Sequence, residues 1–269
     1  MSLIRRVDQA RKAYLEKDQA ASAEAHSPGR IAAAAQEQHG GVRDQYLGDM
    51  VYGGLDGIVT TFAVVSGVAG ANLGANVVLI LGLANLFADG FSMATGAFLS
   101  TKSEQEYYGR EYQREAWEVD HFPDGERAEL LEVYRSRGYS AEDAQALVGI
   151  QSKNRDRWVQ AMMVDELGML PDERRPLWSG LATLVSFIVA GSLPLIVYLL
   201  GLVVPVAPAT AFPVSLALSG VALFALGAAK VLVTRLHPIR SGLEMLAVGG
   251  LAAGVAYVVG ALLKGIGGG

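Results

Sequence analysis

The stretch LWSGLATLVSFIVAGSLPLIVYLLGLVVPVAPATAFPVSLALSGVALFALGAA, residues 177–229, is 53 residues long and contains no Asp, Glu, Lys or Arg. A helix that crosses a bilayer needs only about 20 apolar residues. The stretch therefore accommodates two crossings, separated at Pro205-Val206-Ala207-Pro208. Of the whole chain of 269 residues, 51% are hydrophobic and 18% are charged, whereas soluble proteins average about 25% charged residues. We predict a polytopic membrane protein.

Five apolar segments of spanning length occur along the chain, and a polar segment follows the second of them. This organisation predicts an all-α membrane protein with five transmembrane helices and a helical insert between spans two and three. The predicted spans cover approximately residues 51–71, 77–100, 177–200, 211–233 and 241–263. The predicted domains are an N-terminal arm (1–49), spans one and two (50–100), the insert (101–176) and spans three to five (177–269).

The distribution of Lys and Arg predicts the orientation, because these residues accumulate on the cytoplasmic side of membrane proteins. The arm carries seven of the 22 basic residues, the insert eleven, and the turn between spans four and five carries Lys230, Arg235 and Arg240. With five spans, all three regions fall on one face, and Lys264 alone falls on the other. We therefore expect the N-terminus and the insert to be cytoplasmic.

Two carboxylates lie inside predicted spans, where charged groups are costly and usually functional. Asp56 is in span one and Asp89 in span two, with Asn85 one helical turn before Asp89 and Met93 one turn after it. Residues at this spacing share one helix face. Carboxylate, amide and thioether groups together suit a divalent transition metal. The alternative is that Asp56 reaches water near the membrane surface, Asp89 makes a structural bond between helices, and Met93 packs.

The insert is acidic, with 17 carboxylates against eleven bases. Its helical spacing groups several glutamates on one face and places two methionines near another glutamate. The candidate ligands are Glu104, Glu111, Glu115, Glu118, Glu126, Glu129, Met162, Met163 and Glu166. The alternative is a solvated acidic face, in which Arg110 and Arg114 pair with Glu111 and Glu118. A histidine-rich zinc site is not expected, because His121 is the one histidine of the insert.

The composition also excludes several classes of protein. The chain has no cysteine, so that it has neither disulfides nor thiolate metal sites nor a cysteine nucleophile. Its net charge is −5 and it has no basic stripe, which argues against nucleic acid as a partner. No prosthetic group is expected.

Several motifs resemble those of the vacuolar iron transporter family. They are Gly54-Leu55-Asp56-Gly57-Ile58-Val59-Thr60-Thr61-Phe62, Asp89-Gly90-Phe91-Ser92-Met93-Ala94-Thr95-Gly96, Lys102-Ser103-Glu104 and Met162-Met163-Val164-Asp165-Glu166-Leu167-Gly168. The resemblance extends over roughly residues 49–263 and includes the order of the spans. It implies a homodimer of five-span subunits that moves Fe²⁺, and often Mn²⁺, out of the cytosol in exchange for protons.

The same resemblance implies roles for individual residues. Asp56 and Met93 correspond to residues that line the pathway at the dimer interface. Eukaryotic members commonly have a pathway glutamate where this chain has Asn85, so we expect Asp89 to supply the missing carboxylate. The insert is implied to bind Fe²⁺, Mn²⁺, Zn²⁺ or Co²⁺ through Glu115, Glu118, Glu126, Glu129, Met162, Met163 and Glu166.

A metal-ion transporter is the leading interpretation, and two others remain. The first is a membrane-anchored di-iron oxidase or iron-storage enzyme, but such sites generally use two Glu-x-x-His motifs inside a bundle, and this chain lacks such a pair. The second is a non-transporting metal sensor or scaffold, which would show no metal flux in sealed vesicles. The Ala-, Gly- and Val-rich composition and the short arm predict a bacterial inner membrane, or a vacuolar membrane if the protein is eukaryotic.

Overall fold

The computed structural model describes residues 3–35, 42–230 and 237–264. It divides into two compact units, Met1–Gly48 and Asp49–Gly269. All of the secondary structure in these described ranges is helical. The prediction of an all-α polytopic membrane protein is confirmed, because five of the described helices are long and apolar enough to span a bilayer. The limits of the four predicted domains remain predictions.

The first unit contains three short helices, α1 (Leu3–Glu16), α2 (Gln19–Ala25) and α3 (Pro28–Ala35), and the first residues of the helix that follows. The side chain of Asp18 caps α2 by accepting bonds from the backbone N–H groups of Ala20 and Ala21, at 2.9 and 3.0 Å. Asp18 therefore satisfies donors that the first turn of a helix leaves free.

The remaining helices carry the chain through the membrane, out into the insert and back. They are α4 (Val42–Gly70), α5 (Ala75–His121), α6 (Pro123–Ser136), α7 (Ala141–Gln151), α8 (Arg155–Ala161), α9 (Pro176–Gly191), α10 (Ile196–Leu200), α11 (Pro208–Ala229) and α12 (Pro238–Leu263). A 3₁₀ turn, Leu193–Leu195, joins α9 to α10 within the third span. The predicted end of span four and Arg235 lie outside the described residues.

Helix α5 is continuous from the membrane into the insert. Its 47 residues correspond to about 70 Å, more than twice the roughly 30 Å of the hydrocarbon core. It is apolar from Ala75 to about Ser100 and charged beyond that point. The spanning segment and the first acidic face of the insert are therefore parts of one rigid element.

Glycines beside the two membrane aspartates allow α9 to approach both α4 and α5. A Cβ atom on Gly57 would lie 2.4 Å from the carbonyl oxygen of Phe187, and one on Gly90 would lie 3.2 Å from the Phe187 ring. Phe187 is fully buried. The Asp-Gly pairs at Asp56 and Asp89 therefore also have a packing role, because α9 contacts each helix next to its carboxylate.

The insert has its own hydrophobic core, formed by α5 to α8 and the segment that follows. Leu130, Ala144, Val159 and Met162 are among its fully buried residues. Ser140 caps the start of α7, since its hydroxyl accepts the Asp143 N–H at 3.1 Å. Helix α8 ends at Ala161, and the chain continues as a π-helical turn at Met162–Glu166.

Candidate metal centre and membrane pathway

Three glutamates converge at the end of α5 and the start of α6. Glu115, Glu118 and Glu126 each offer a carboxylate oxygen, and these oxygens lie within 4.8 Å of one another. Glu115 and Glu118 are one turn apart on α5, and α6 turns back after Phe122, which brings Glu126 against them. The exposed fractions of Glu115 and Glu126 are only 1% and 4%. Such a group has the dimensions of a cation site.

Unpartnered oxygen atoms strengthen that interpretation. The Oε2 atoms of Glu115, Glu126 and Glu166 are buried and have no hydrogen-bond partner within the described residues. Buried polar atoms are nearly always hydrogen-bonded. A bound ion would supply the contacts that these three carboxylate oxygens lack. Carboxylate oxygens are common ligands of divalent metals.

The pKa values of these carboxyl groups reflect burial and mutual repulsion. Burial raises the pKa of Glu126 to about 7, with further contributions from the charges of Glu115 and Glu129. Burial likewise raises the pKa of Glu166 to about 7, again with repulsion from Glu115. Burial also raises the pKa of Glu115, although the Arg114 guanidinium opposes this shift. In the absence of metal, the carboxyl groups of Glu126 and Glu166 are therefore partly protonated near neutral pH, and a metal ion would displace these protons.

Arg114 lies beside the cluster and compensates part of its charge. It donates to Glu118, to Glu115 at 2.5 Å and to Glu111 at 3.0 Å. Arg110 reaches Glu111 at 3.3 Å. The predicted arginine pairs with Glu111 and Glu118 are therefore both present, and the bond from Arg114 lowers the pKa of Glu111. Glu111 is outside the three-carboxylate group, whereas Glu115 and Glu118 are in it despite their contacts with Arg114.

The other predicted ligands of the insert have different surroundings. Glu129 is exposed, but its charge acts on both Glu126 and Glu166. Met162 and Met163 are fully buried in the hydrophobic core of the insert. Glu104 is exposed and lies near the membrane end of α5, where Ser100 donates to it at 3.1 Å. The structure thus brings together the glutamates of α5, α6 and the π turn, and it leaves Glu104 apart.

Sequence reasoning missed the residues that support the π turn. Arg137 donates to the carboxylate of Asp165 and, at 2.6 Å, to its carbonyl oxygen. The Tyr134 hydroxyl donates to the same carboxylate at 3.1 Å. These bonds hold the residue immediately before Glu166. A π turn has no simple sequence period, but such turns occur frequently at functional sites.

The chain has one Glu-x-x-His spacing, at Glu118 to His121, and the structure shows no pair of such motifs in the described residues. The Nδ1 atom of His121 lies 2.8 Å from the Trp117 carbonyl oxygen. Its ring stacks on Trp117 at a centroid distance of 4.4 Å. His121 is exposed, and this arrangement differs from that of a di-iron bundle.

In the membrane part, the structure brings the predicted pathway residues into the same region. Asp56 on α4 and Asp89 on α5 are half-buried and close enough for their charges to repel each other. Asn85 is half-buried as well, and its Nδ2 atom has no partner among the described residues. Met93 lines a cavity of about 420 Å³. The roles of these four residues remain predictions.

Comparisons with known proteins show which family the chain resembles over most of its length. The sequence profile of the VIT family matches residues 47–261. The chain is 38% identical to a vacuolar iron transporter of Toxoplasma gondii, over 97% of this chain and 89% of that protein. It is 34% identical to one of Plasmodium falciparum, over 95% and 96% of the two chains, and 34% identical to vacuolar iron transporter 1 of Arabidopsis thaliana, over 78% and 82%. The profile match covers most of the described helices, and the chain therefore belongs to the VIT family.

Proposed function

We propose that the protein moves Fe²⁺, and also Mn²⁺, out of the cytosol in exchange for protons. That the chain is a membrane transporter of metal ions, and not an enzyme, follows from its family and from the names of its relatives. The observation that carries the finer proposal is the group formed by Glu115, Glu118 and Glu126. Two of its members, Glu115 and Glu118, lie on the same continuous helix, α5, that carries Asp89 and Met93 through the membrane.

The insert is proposed to collect the metal ion. Its buried carboxylates lack partners for three of their oxygens, so an ion supplies contacts that the protein does not. Fe²⁺, Mn²⁺, Co²⁺ and Zn²⁺ all accept carboxylate ligands, and methionine sulfur at Met162 and Met163 would favour these ions over Mg²⁺. The ion is the substrate, and the proposal includes no prosthetic group.

The membrane carboxylates are proposed to pass the ion on. Asp56 and Asp89 lie in the spans, with Asn85 and Met93 beside them as neutral ligands. A carboxylate binds a divalent ion only when deprotonated. Protonation of Asp56 from the far side therefore releases the ion and provides the exchange for protons.

Orientation and assembly complete the proposal. The concentration of basic residues in the arm, the insert and the turn before α12 supports a cytoplasmic insert, and hence export from the cytosol. We propose a homodimer in which the pathway lies between two copies. The relatives come from Toxoplasma, Plasmodium and plants and give no support to a bacterial inner membrane, so a vacuolar or related organelle membrane is the better proposal.

Uptake into proteoliposomes with an imposed pH gradient tests this function. Vesicles that contain the full chain should accumulate Fe²⁺ and Mn²⁺ in proportion to the gradient, with Co²⁺, Zn²⁺ and Ca²⁺ measured for comparison. Collapse of the gradient should reduce uptake. Metal uptake that does not change with the pH gradient would contradict proton exchange. Normal metal binding without any metal flux would favour a sensor or scaffold.

A further inference from the structure

A cavity lies where α4, α5 and α9 meet the insert side of the membrane part. It has a volume of about 420 Å³, and its lining includes Tyr52, Met93 and Thr183. Asp49 and Arg174 also line it, and they are the charged residues in its described lining. Because Met93 is one of the proposed pathway residues, the cavity is a candidate entrance to the pathway.

Arg174 occupies this entrance as part of a network of carboxylates. Its Nη2 atom lies 2.7 Å from Asp172 Oδ2 and 3.5 Å from Glu104 Oε2, and its Nη1 atom lies 3.6 Å from Asp49 Oδ1. The three partners belong to the segment before α9, to α5 and to α4. One guanidinium thus joins three parts of the chain.

Neighbouring polar groups fix both sides of the Arg174–Asp49 contact. The Gln105 amide donates to the carbonyl oxygens of Asp172 and Arg174, at 3.0 and 2.5 Å, which attaches this segment to α5. The buried Ser179 hydroxyl donates to the other oxygen of Asp49. The backbone of Arg174 is therefore attached to α5, while 29% of the Arg174 side chain remains exposed.

The charges at this entrance favour exchange with a divalent ion. Three carboxylates surround one guanidinium, so the network keeps an excess of negative charge that attracts cations. At equal distance a divalent ion interacts with Asp49 twice as strongly as the guanidinium does, whereas a monovalent ion gains nothing by the exchange. A cation on a flexible side chain can move aside without leaving the site.

We propose that Arg174 is a specificity-determining residue, a tethered cation that occupies the insert-side entrance and yields Asp49 to an incoming divalent ion. The proposal rests on the transport function above and concerns its first step. It makes Arg174 a competitor of the metal, so that removing its charge should strengthen metal capture. A purely structural tie would have the opposite effect.

The test measures initial rates of Mn²⁺ uptake into proteoliposomes that contain the full chain. R174Q should lower the KM for Mn²⁺ about threefold to fivefold, the scale of one partly exposed ion pair. K⁺ in excess should inhibit R174Q more than the wild type. R174K keeps the charge and should retain a KM near that of the wild type. R155Q serves as a matched control, because Arg155 pairs with Asp120 in the insert, at 2.7 Å, away from the cavity.

A double variant separates the mechanism from a general effect on charge. In a D49N background, R174Q should no longer change the KM, since the carboxylate for which the guanidinium competes is gone. If R174Q does not insert into the membrane, R174M, which keeps the aliphatic stem, replaces it. An unchanged or raised KM in the charge-removing variant overturns the proposal, while absence of flux in the wild type overturns the transport function itself.

Discussion

The insert and the membrane-spanning helices both gather carboxylates, but they compensate the charge differently. In the insert, Arg114 contacts Glu111, Glu115 and Glu118, so one base offsets part of the acidic face. In the membrane part, the sequence has no Lys or Arg in residues 44–101, which contain Asp56 and Asp89. In the proposed function, the insert holds ions at equilibrium, whereas the membrane carboxylates rely on a metal ion or a proton to compensate their charge. Removing a membrane carboxylate should thus affect flux, and removing an insert carboxylate should affect binding.

The largest expected effect is at Asp56. D56N should abolish metal uptake into proteoliposomes, because the amide keeps the shape but removes the charge that binds and releases the ion. Binding of Mn²⁺ by the insert of the same protein should be retained. D124N is the matched control, since Asp124 is an exposed carboxylate of the insert, paired with Arg127. Retention of more than about half of the wild-type flux would remove Asp56 from the pathway.

Next in size is the loss of metal binding when a buried ligand of the insert is changed. Metal that binds only the folded protein raises its melting temperature. E126Q should weaken Mn²⁺ affinity at least about tenfold, roughly 1.4 kcal/mol, and should remove most of the rise in melting temperature. Mg²⁺ should stabilise the wild type less, because it dehydrates reluctantly. The control is E132Q, an exposed position on the same helix. Equal losses in the two variants would favour a solvated acidic face.

The stability of the metal-free protein should depend on pH because of two buried carboxyl groups of the insert. The pKa values of Glu126 and Glu166 rise from the usual 4.5 to about 7 in the folded protein. Between these values the folded state binds more protons than the unfolded state, so stability falls as pH rises from about 5 to 8. Melting curves of the metal-free protein at pH 5.5 and pH 8 check this. E126Q and E166Q should flatten the dependence, and a melting temperature that instead rises over this range would contradict it.

A smaller effect is expected from the bonds that hold the π turn. Y134F removes the hydroxyl that bonds Asp165 but keeps the ring in the core. Because the hydroxyl bonds the residue next to Glu166 and not a proposed ligand itself, the loss of metal affinity should stay below about tenfold. Isothermal titration with Mn²⁺ measures this, and the melting temperature without metal should change little by comparison. Y107F, at an exposed tyrosine of α5, is the control. An affinity equal to the wild type would show that Glu166 does not depend on this network.

The smallest effect should come from Met93. M93L conserves volume and apolarity, so its cost in stability should stay below about 1.5 kcal/mol. If the sulfur is a ligand, the ratio of Fe²⁺ to Ca²⁺ uptake should fall while expression stays normal. An unchanged ratio would indicate that Met93 only packs against the hydrophobic core of the spans.

Much of this architecture could be predicted because membrane constraints act on single segments. A span must be long and apolar wherever it stands in the chain, so residues 177–229 already implied two crossings. The continuation of span two into the insert was also readable, since no helix-breaking proline interrupts it before Pro123. Helical spacing correctly grouped Glu115 with Glu118, because both lie on one helix one turn apart.

Helical spacing could not predict which carboxylates are buried together, because that depends on contacts between segments that are distant in sequence. Glu104, Glu111, Glu115 and Glu118 look alike as a pattern, yet Glu104 lies near Arg174 and Glu111 pairs with two arginines. Only the return of α6 onto α5 decided which carboxylates are buried beside Glu126, and burial is the main cause of their raised pKa values. The π turn and the position of Arg174 in the lining of the cavity beside Met93 could likewise not be predicted from the sequence. Local patterns determined the spans and the helices, and long-range packing determined which charged groups meet, because charge compensation is a property of the neighbours in space.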